Sequence, residues 1–201
     1  VDVVIDAVGA PLTATAPHHI VIPKLARLTG GLPAATVYGE YVFTAPVTGM
    51  DPATGRVGRT RETLTAEECT LLDTAYFNPR DEALAVEQVL MWRNLREILE
   101  VTGVAFENIL HQNNWLTVSM QQYVPVTKVR SRLFGRGAER TAATSLPVSA
   151  LRIPHTAFEC AVTGLVSGSL LRKEIALDSH GVGPYYVGAV KAGRHVFAAG
   201  E

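Results

Sequence analysis

Apolar positions along the chain switch between a period near two and a period near 3.6, and the switches mark its elements. Val3 to Val8 is a short apolar run that reads as a buried strand, and Gly9 to His18, rich in Pro, Ala and Thr, reads as the connection leaving it. Tyr38 to Thr44 reads as a second strand, with an extra hairpin strand expected near Leu25. Asp51-Pro-Ala-Thr-Gly55 is a turn, its Pro and Gly suited to preset dihedrals. Residues 56 to 78 are charged and irregular, a surface loop with a short helical turn after Thr65. From Asp81 to Thr102 the residues Met91, Trp92, Leu95, Ile98 and Leu99 fall on one helix face, and Gly103 supplies the stop. Ile109 to Val118 alternates as a strand, although Asn113 and Asn114 are unusual in its middle. Val126, Val129 and Leu133 return to helical spacing between Pro125, placed in the first turn, and Gly135. Thr141 to Leu146 and Ala157 to Leu165 are two more strands. From Tyr38 the order is therefore strand, helix, strand, helix, strand, strand, which predicts an α/β (α+β) domain with a mixed sheet packed by two helices.

The chain also resembles itself. Val37 to Ala45 aligns with Val190 to Ala199, and Ile5-Asp-Ala-Val8 aligns with the stretch Phe158 to Val162. Both matches recur at a period of roughly 153 residues, the size of a domain and not of a solenoid repeat. On this register residues 1–10 are the last strand of a preceding copy, 19–166 are a complete copy, and 180–201 are the opening hairpin of a following copy. Short strands share composition, so chance similarity is the alternative for the self-alignment taken alone.

Composition narrows the function classes. With 47% hydrophobic residues the chain can bury a sizeable core, and 18 basic against 19 acidic side chains leave a formal charge of −1, without the basic footprint of a nucleic-acid binder. The longest apolar runs are too short to span a bilayer and no signal peptide opens the sequence, so a soluble, cytoplasmic protein that binds neither nucleic acid nor membrane is expected. Cys69 and Cys160 are too few for a disulfide framework and belong to no CxxC pattern, and the six histidines form no metal-ligand spacing. Free thiols and no structural zinc follow.

Four segments resemble the RidA/YjgF family in order. Val42-Phe43 followed by Asp51-Pro-Ala-Thr-Gly55 is similar to the family's second strand and D-P-x-T-G turn, and the helix 81–103 to its first long helix. Trp115-Leu-Thr-Val-Ser-Met120 is similar to the segment preceding its second helix. Arg140-Thr-Ala-Ala143, Ser145-Leu-Pro147 and Phe158-Glu-Cys-Ala161 resemble its arginine strand, L-P corner and final glutamate strand. Gly183-Pro-Tyr185 and Ala189-Val-Lys-Ala-Gly193 match its opening G-P-Y and A-V-K-A-G motifs. The resemblance implies a chorismate-mutase-like domain that assembles into a trimer-like barrel, either a homotrimer or a pseudo-trimer of fused copies.

Family members of the deaminase type hydrolyse imines and enamines to keto acids and ammonia without a cofactor. The resemblance makes Arg140 the carboxylate anchor of a small anionic substrate, a task suited to a planar, always-charged donor. It makes Glu159 the catalytic carboxylate that orients water on a C=N bond. It gives Tyr185 (or Tyr186), Ala199 and Gly200 of the following copy the substrate-binding positions of the opening hairpin. In the complete copy, Gly31-Leu-Pro-Ala34 stands where the family has G-P-Y, and Thr44-Ala-Pro-Val47 stands where a small residue and glycine are expected, so Pro46 offers no amide N–H. That hairpin is degenerate, and a composite cleft that joins Arg140 and Glu159 to a hairpin of another copy is the resulting hypothesis. It requires Tyr185 and Gly200 to lie on the same side as Arg140. The expected activity is hydrolysis of a 2-imino, 2-aminoenoic or amino-muconate-like acid. A non-catalytic binding or scaffold protein is the alternative, with ribonuclease a more distant one. Glu159 also has a purely structural reading, as an ion-pair partner of Arg140, and Cys160, next to it on the opposite face of the strand, reads as a core thiol.

Overall fold

The structure, a computed structural model, describes residues 16–72, 79–134, 140–178 and 186–200. The expected strand Val3–Val8 lies outside them. Strands β1 (His18–Ile20), β2 (Ala35–Tyr38), β3 (Tyr41–Thr44) and β4 (Val47–Thr48) come first, with a short helix α1 (Ala26–Thr29) after β1. Helices α2 (Ala66–Thr70) and α3 (Pro79–Thr102) follow, then β5 (Ile109–Leu116), α4 (Met120–Phe134), β6 (Ala142–Pro147) and β7 (Phe158–Leu165). A final meander comprises β8 (Lys173–Asp178), β9 (Val187–Ala192) and β10 (His195–Ala198).

The main sheet has the order β1-β2-β3-β7-β5-β6, with β4 also paired to β7. β5 and β6 run parallel while the other neighbours are antiparallel, so the sheet is mixed. A parallel pair needs a crossover, and α4 supplies it. The side-chain alternation of β7 decides which face is which. Phe158, Cys160 and Val162 turn to the helices and join Trp92, Leu95, Ile98 and Leu99 of α3 and Phe134 of α4 in the core. Glu159, Ala161 and Thr163 alternate with them onto the open face. Each fully buried Leu or Ile in that core contributes on the order of 1.5–3 kcal/mol.

Several elements differ from the sequence expectation. Tyr38–Thr44 is not one strand: Gly39, at φ 58°, turns the chain so that Tyr38 pairs with Tyr41 in a hairpin. No strand forms near Leu25. Pro23 opens a 3-10 turn there, α1 continues it, and Leu25 and Leu28 are fully buried on its inner side, while the hairpin partner is β1 instead. The second helix begins at Met120, upstream of Pro125, because Ser119 and Gln122 cap it: Ser119 Oγ accepts the Gln122 N–H at 3.3 Å, and Gln122 Oε1 accepts the Ser119 N–H at 3.2 Å. The Asp51 turn forms as expected, with Asp51 Oδ1 accepting the N–H of Ala53 at 2.8 Å.

β8–β10 form a separate three-stranded antiparallel sheet. It packs on the open face at one end, where Val187, Val190 and Ala192 are buried together with Leu110, Ala142 and Leu165. Its hairpin repeats that of β2–β3. Gly193, at φ 57°, takes the place of Gly39, and Tyr41 and His195, 154 residues apart, each begin the returning strand. These two residues touch: Tyr41 Oη lies 2.9 Å from His195 Nδ1 with the rings edge to face.

Candidate functional site

Arg140 immediately precedes Thr141, which makes a parallel bridge to Tyr186 at the entrance to β9. Further along β6 the Gly200 N–H donates to Thr144 Oγ1 at 3.0 Å, and Thr144 Oγ1 lies 3.2 Å from His111 Nε2. A Cβ on Gly200 would stand 2.6 Å from Thr144 Cγ2, so this approach requires glycine. Gly200 and Tyr186 thus sit on the strand that Arg140 leads, on the same side of the molecule. Ala199 anchors the hairpin through its N–H to the Gly188 carbonyl at 2.8 Å. Tyr185 lies outside the described residues. Beneath this end, Arg130 of α4 is 1% exposed, donates to Tyr186 Oη and Gln112 Oε1, and stacks its guanidinium 4.7 Å from the Tyr186 ring. Arg130 escaped the sequence reading because a buried arginine on an amphipathic helix has the same pattern as a solvated one.

Glu159 belongs to the other end. It is level with Trp115 on β5, whereas Arg140 lies two residues before Ala142, which is level with His111. Six strand residues separate the two levels, or about 20 Å at ~3.3 Å per residue. Within this chain, therefore, Arg140 and Glu159 do not share a cleft, and the ion pair considered between them does not form. The partner of Glu159 is Arg152, whose Nη2 donates to Glu159 Oε1 at 3.2 Å and to the carbonyls of Leu28 and of Pro46, the latter at 3.3 Å. Burial pushes the Glu159 carboxyl above its usual range, and the Arg152 guanidinium opposes that rise. Arg152 thus ties the turn at Pro46 to Glu159. Cys160, facing the core, is fully buried, and burial pushes its thiol up to about 12.

A second carboxylate holds the strand that carries Glu159. Glu87 of α3 is fully buried, and its Oε1 accepts the N–H groups of Ala157 and Phe158 while Arg59 Nη2 lies 3.0 Å from Oε2. Desolvation raises its pKa, against the two backbone N–H groups and Arg59. Gly49 lets the chain approach: a Cβ there would fall 2.3 Å from the Glu87 carbonyl oxygen. Among the described residues no cluster of three His, Cys, Asp or Glu could hold a metal, and no helix is long and apolar enough to cross a membrane.

No family model matches the chain, and no curated protein matches it. Solved structures do. The chain is similar to yeast Mmf1, at 15% identity and a TM-score of 0.56 over 75% of this chain and 99% of that one. It is similar to a protein of the conserved Rid family from Yersinia pestis, at 16% identity and a TM-score of 0.55 over 75% and 100%. A member of the YjgF/YER057c/UK114 family from Mycobacterium tuberculosis matches at 15% identity and a TM-score of 0.52, again over 75% and 100%. The fold is that of the RidA/YjgF proteins. Two further neighbours with this RidA/YjgF fold, from Klebsiella pneumoniae and Thermotoga maritima, carry provisional endoribonuclease names. Each neighbour is matched over nearly its whole length, while a quarter to a third of this chain lies beyond the match.

Proposed function

We propose that this protein is a cofactor-independent hydrolase of imines or enamines derived from small carboxylic acids, and that Arg140 anchors the substrate carboxylate in a cleft completed by the hairpin β9–β10. The observation that carries the reading is the seat of that hairpin: the Gly200 N–H rests on Thr144, four residues beyond Arg140 on one strand. A planar guanidinium beside a turn of small residues suits a 2-imino acid, whose carboxylate takes the cation while its C=N group lies against the backbone. Hydration of the C=N bond adds a hydroxyl to carbon and a proton to nitrogen, and collapse of the carbinolamine releases ammonia and the keto acid. A carboxylate must orient the water and accept its proton. Because Glu159 is level with Trp115, it serves the cleft at its own end, and the Arg140 cleft takes its glutamate from another copy. Fused or associated RidA-like copies, with 19–166 as the complete one, meet that requirement.

A second reading is favoured by Arg152. A copy whose glutamate is already paired with its own arginine, behind a proline where a glycine is expected, has the features of a cleft retained for structure and not for turnover. Ammonia release from 2-iminopropionate generated in situ separates the two. Arg140→Ala is expected to lower turnover by on the order of 100-fold or more. Absence of turnover in the folded parent protein would favour the scaffold reading.

A further inference from the structure

The loop from Ser149 to Ala157, the exit of β5 and the start of α3 enclose a cavity of about 600 Å³. None of Arg140, Glu159 and the β9–β10 hairpin lines it. Leu84, Val118, Leu151 and Ile153 form apolar wall. Three backbone acceptors at its rim are taken: the Ile153 carbonyl by the Thr156 hydroxyl at 2.7 Å, the Thr156 carbonyl by the Thr117 hydroxyl at 3.1 Å, and the His155 carbonyl by Arg59 Nη2 at 2.7 Å.

Several of its donors have no protein partner among the described residues and are open to a ligand or to water. Arg59 uses only Nη2, on the His155 carbonyl and Glu87, and leaves the N–H groups of Nε and Nη1 unengaged. Gln122 uses Oε1 on Ser119 and leaves its amide NH2 unengaged. Among the described residues, the exposed Ser149 hydroxyl and His155 ring have no partner either. His155 is the one described non-glycine residue at positive φ, 66°, and its carbonyl is held there by Arg59. A cavity with apolar walls, a guanidinium edge and side-chain N–H and O–H donors free of protein partners is complementary to an anion with a hydrocarbon body.

We propose that this cavity is a binding site for a small carboxylate with an apolar body, its head on Arg59 and Gln122 and its hydrocarbon against Leu84, Val118, Leu151 and Ile153. The site is independent of the reaction assigned above. Calorimetric titration of the whole chain with cyclohexanecarboxylate, and with cyclohexanecarboxamide as its uncharged counterpart, tests it without reference to turnover. The carboxylate is expected to bind, and the amide to bind at least about tenfold more weakly, as expected for loss of a charge-assisted contact. Leu151→Trp and Val118→Phe, which fill the cavity and leave the Arg59–Glu87 pair in place, are each expected to weaken binding by a similar factor, and Arg140→Ala to leave it unchanged. Equal binding by the parent and by either filled variant that folds, loss of binding in Arg140→Ala, or no binding by the folded parent would each overturn the proposal.

Discussion

Glu87 carries no charge partner on its own helix, and its value to the fold lies in the two backbone N–H groups it accepts at Ala157 and Phe158. Truncation to Ala leaves both donors buried without a partner, and Glu87→Ala is expected to lose about 2–4 kcal/mol in urea denaturation. Its raised pKa fixes a sign for pH. The folded protein binds this proton more tightly than the unfolded chain does. The contribution of Glu87 to stability is therefore fully present below the usual carboxyl range near 4.5 and falls as pH climbs through the folded value. Glu87→Gln, which keeps an acceptor and removes the titration, is expected to gain stability relative to the parent between acid and neutral pH. Unfolding curves of the two proteins measured at several pH values check this. At Glu159 the same balance recurs: burial pushes the carboxyl up and Arg152 opposes the rise. Replacing Arg152 with Met is expected to move the Glu159 pKa further upward, read by carbon NMR of its carboxyl. None of this was legible in sequence, since the spacing that reveals the apolar face of α3 says nothing about which polar side chain faces inward with it.

Helix α3 shows how far periodicity reaches at the scale of elements. Its span follows from Met91, Trp92, Leu95, Ile98 and Leu99, and its stop from Gly103 at φ 67°. What it packs against was not written in that spacing. Asn94 Nδ2 donates to the carbonyls of Thr48 at 2.8 Å and Met50 at 2.9 Å, and Gly49 between them meets the backbone of Glu87. Gly49→Ala is expected to cost about 1–3 kcal/mol in thermal or urea unfolding, as an overpacked contact with backbone that has nowhere to move. The hairpin at Tyr38–Thr44 was misread because Gly39 and Glu40 sit between apolar neighbours and look like alternation within one strand. The start of α4 was misread because Pro125 outweighed the Ser119–Gln122 pair that caps it. In both cases a turn or cap is set by two residues, and a window of apolar period averages over them.

For the whole molecule, the sequence carried the strand and helix order, because that is a local pattern. The seating of the β9–β10 hairpin on β5 and β6, and the distance between Arg140 and Glu159, depend on sheet register, which no local pattern carries. The β8–β10 sheet is joined to the rest by one apolar cluster and a few hydrogen bonds, among them Tyr41 to the Ala192 carbonyl at 2.9 Å. It is expected to open at lower free energy than the main sheet. Amide exchange should therefore be faster in β9 and β10 than in β5 and β7, and Val190→Ala should widen that gap without altering α3.

The same arrangement sets an order of events at the ribosome. Tyr41, Leu110 and Leu165 emerge well before Val187 and Val190, so the main sheet can be complete while its apolar end is still bare. At about 5–20 residues per second that interval lasts a few seconds. During it the nascent chain carries an apolar patch that stays uncovered until the β8–β10 segment has emerged and folded onto it.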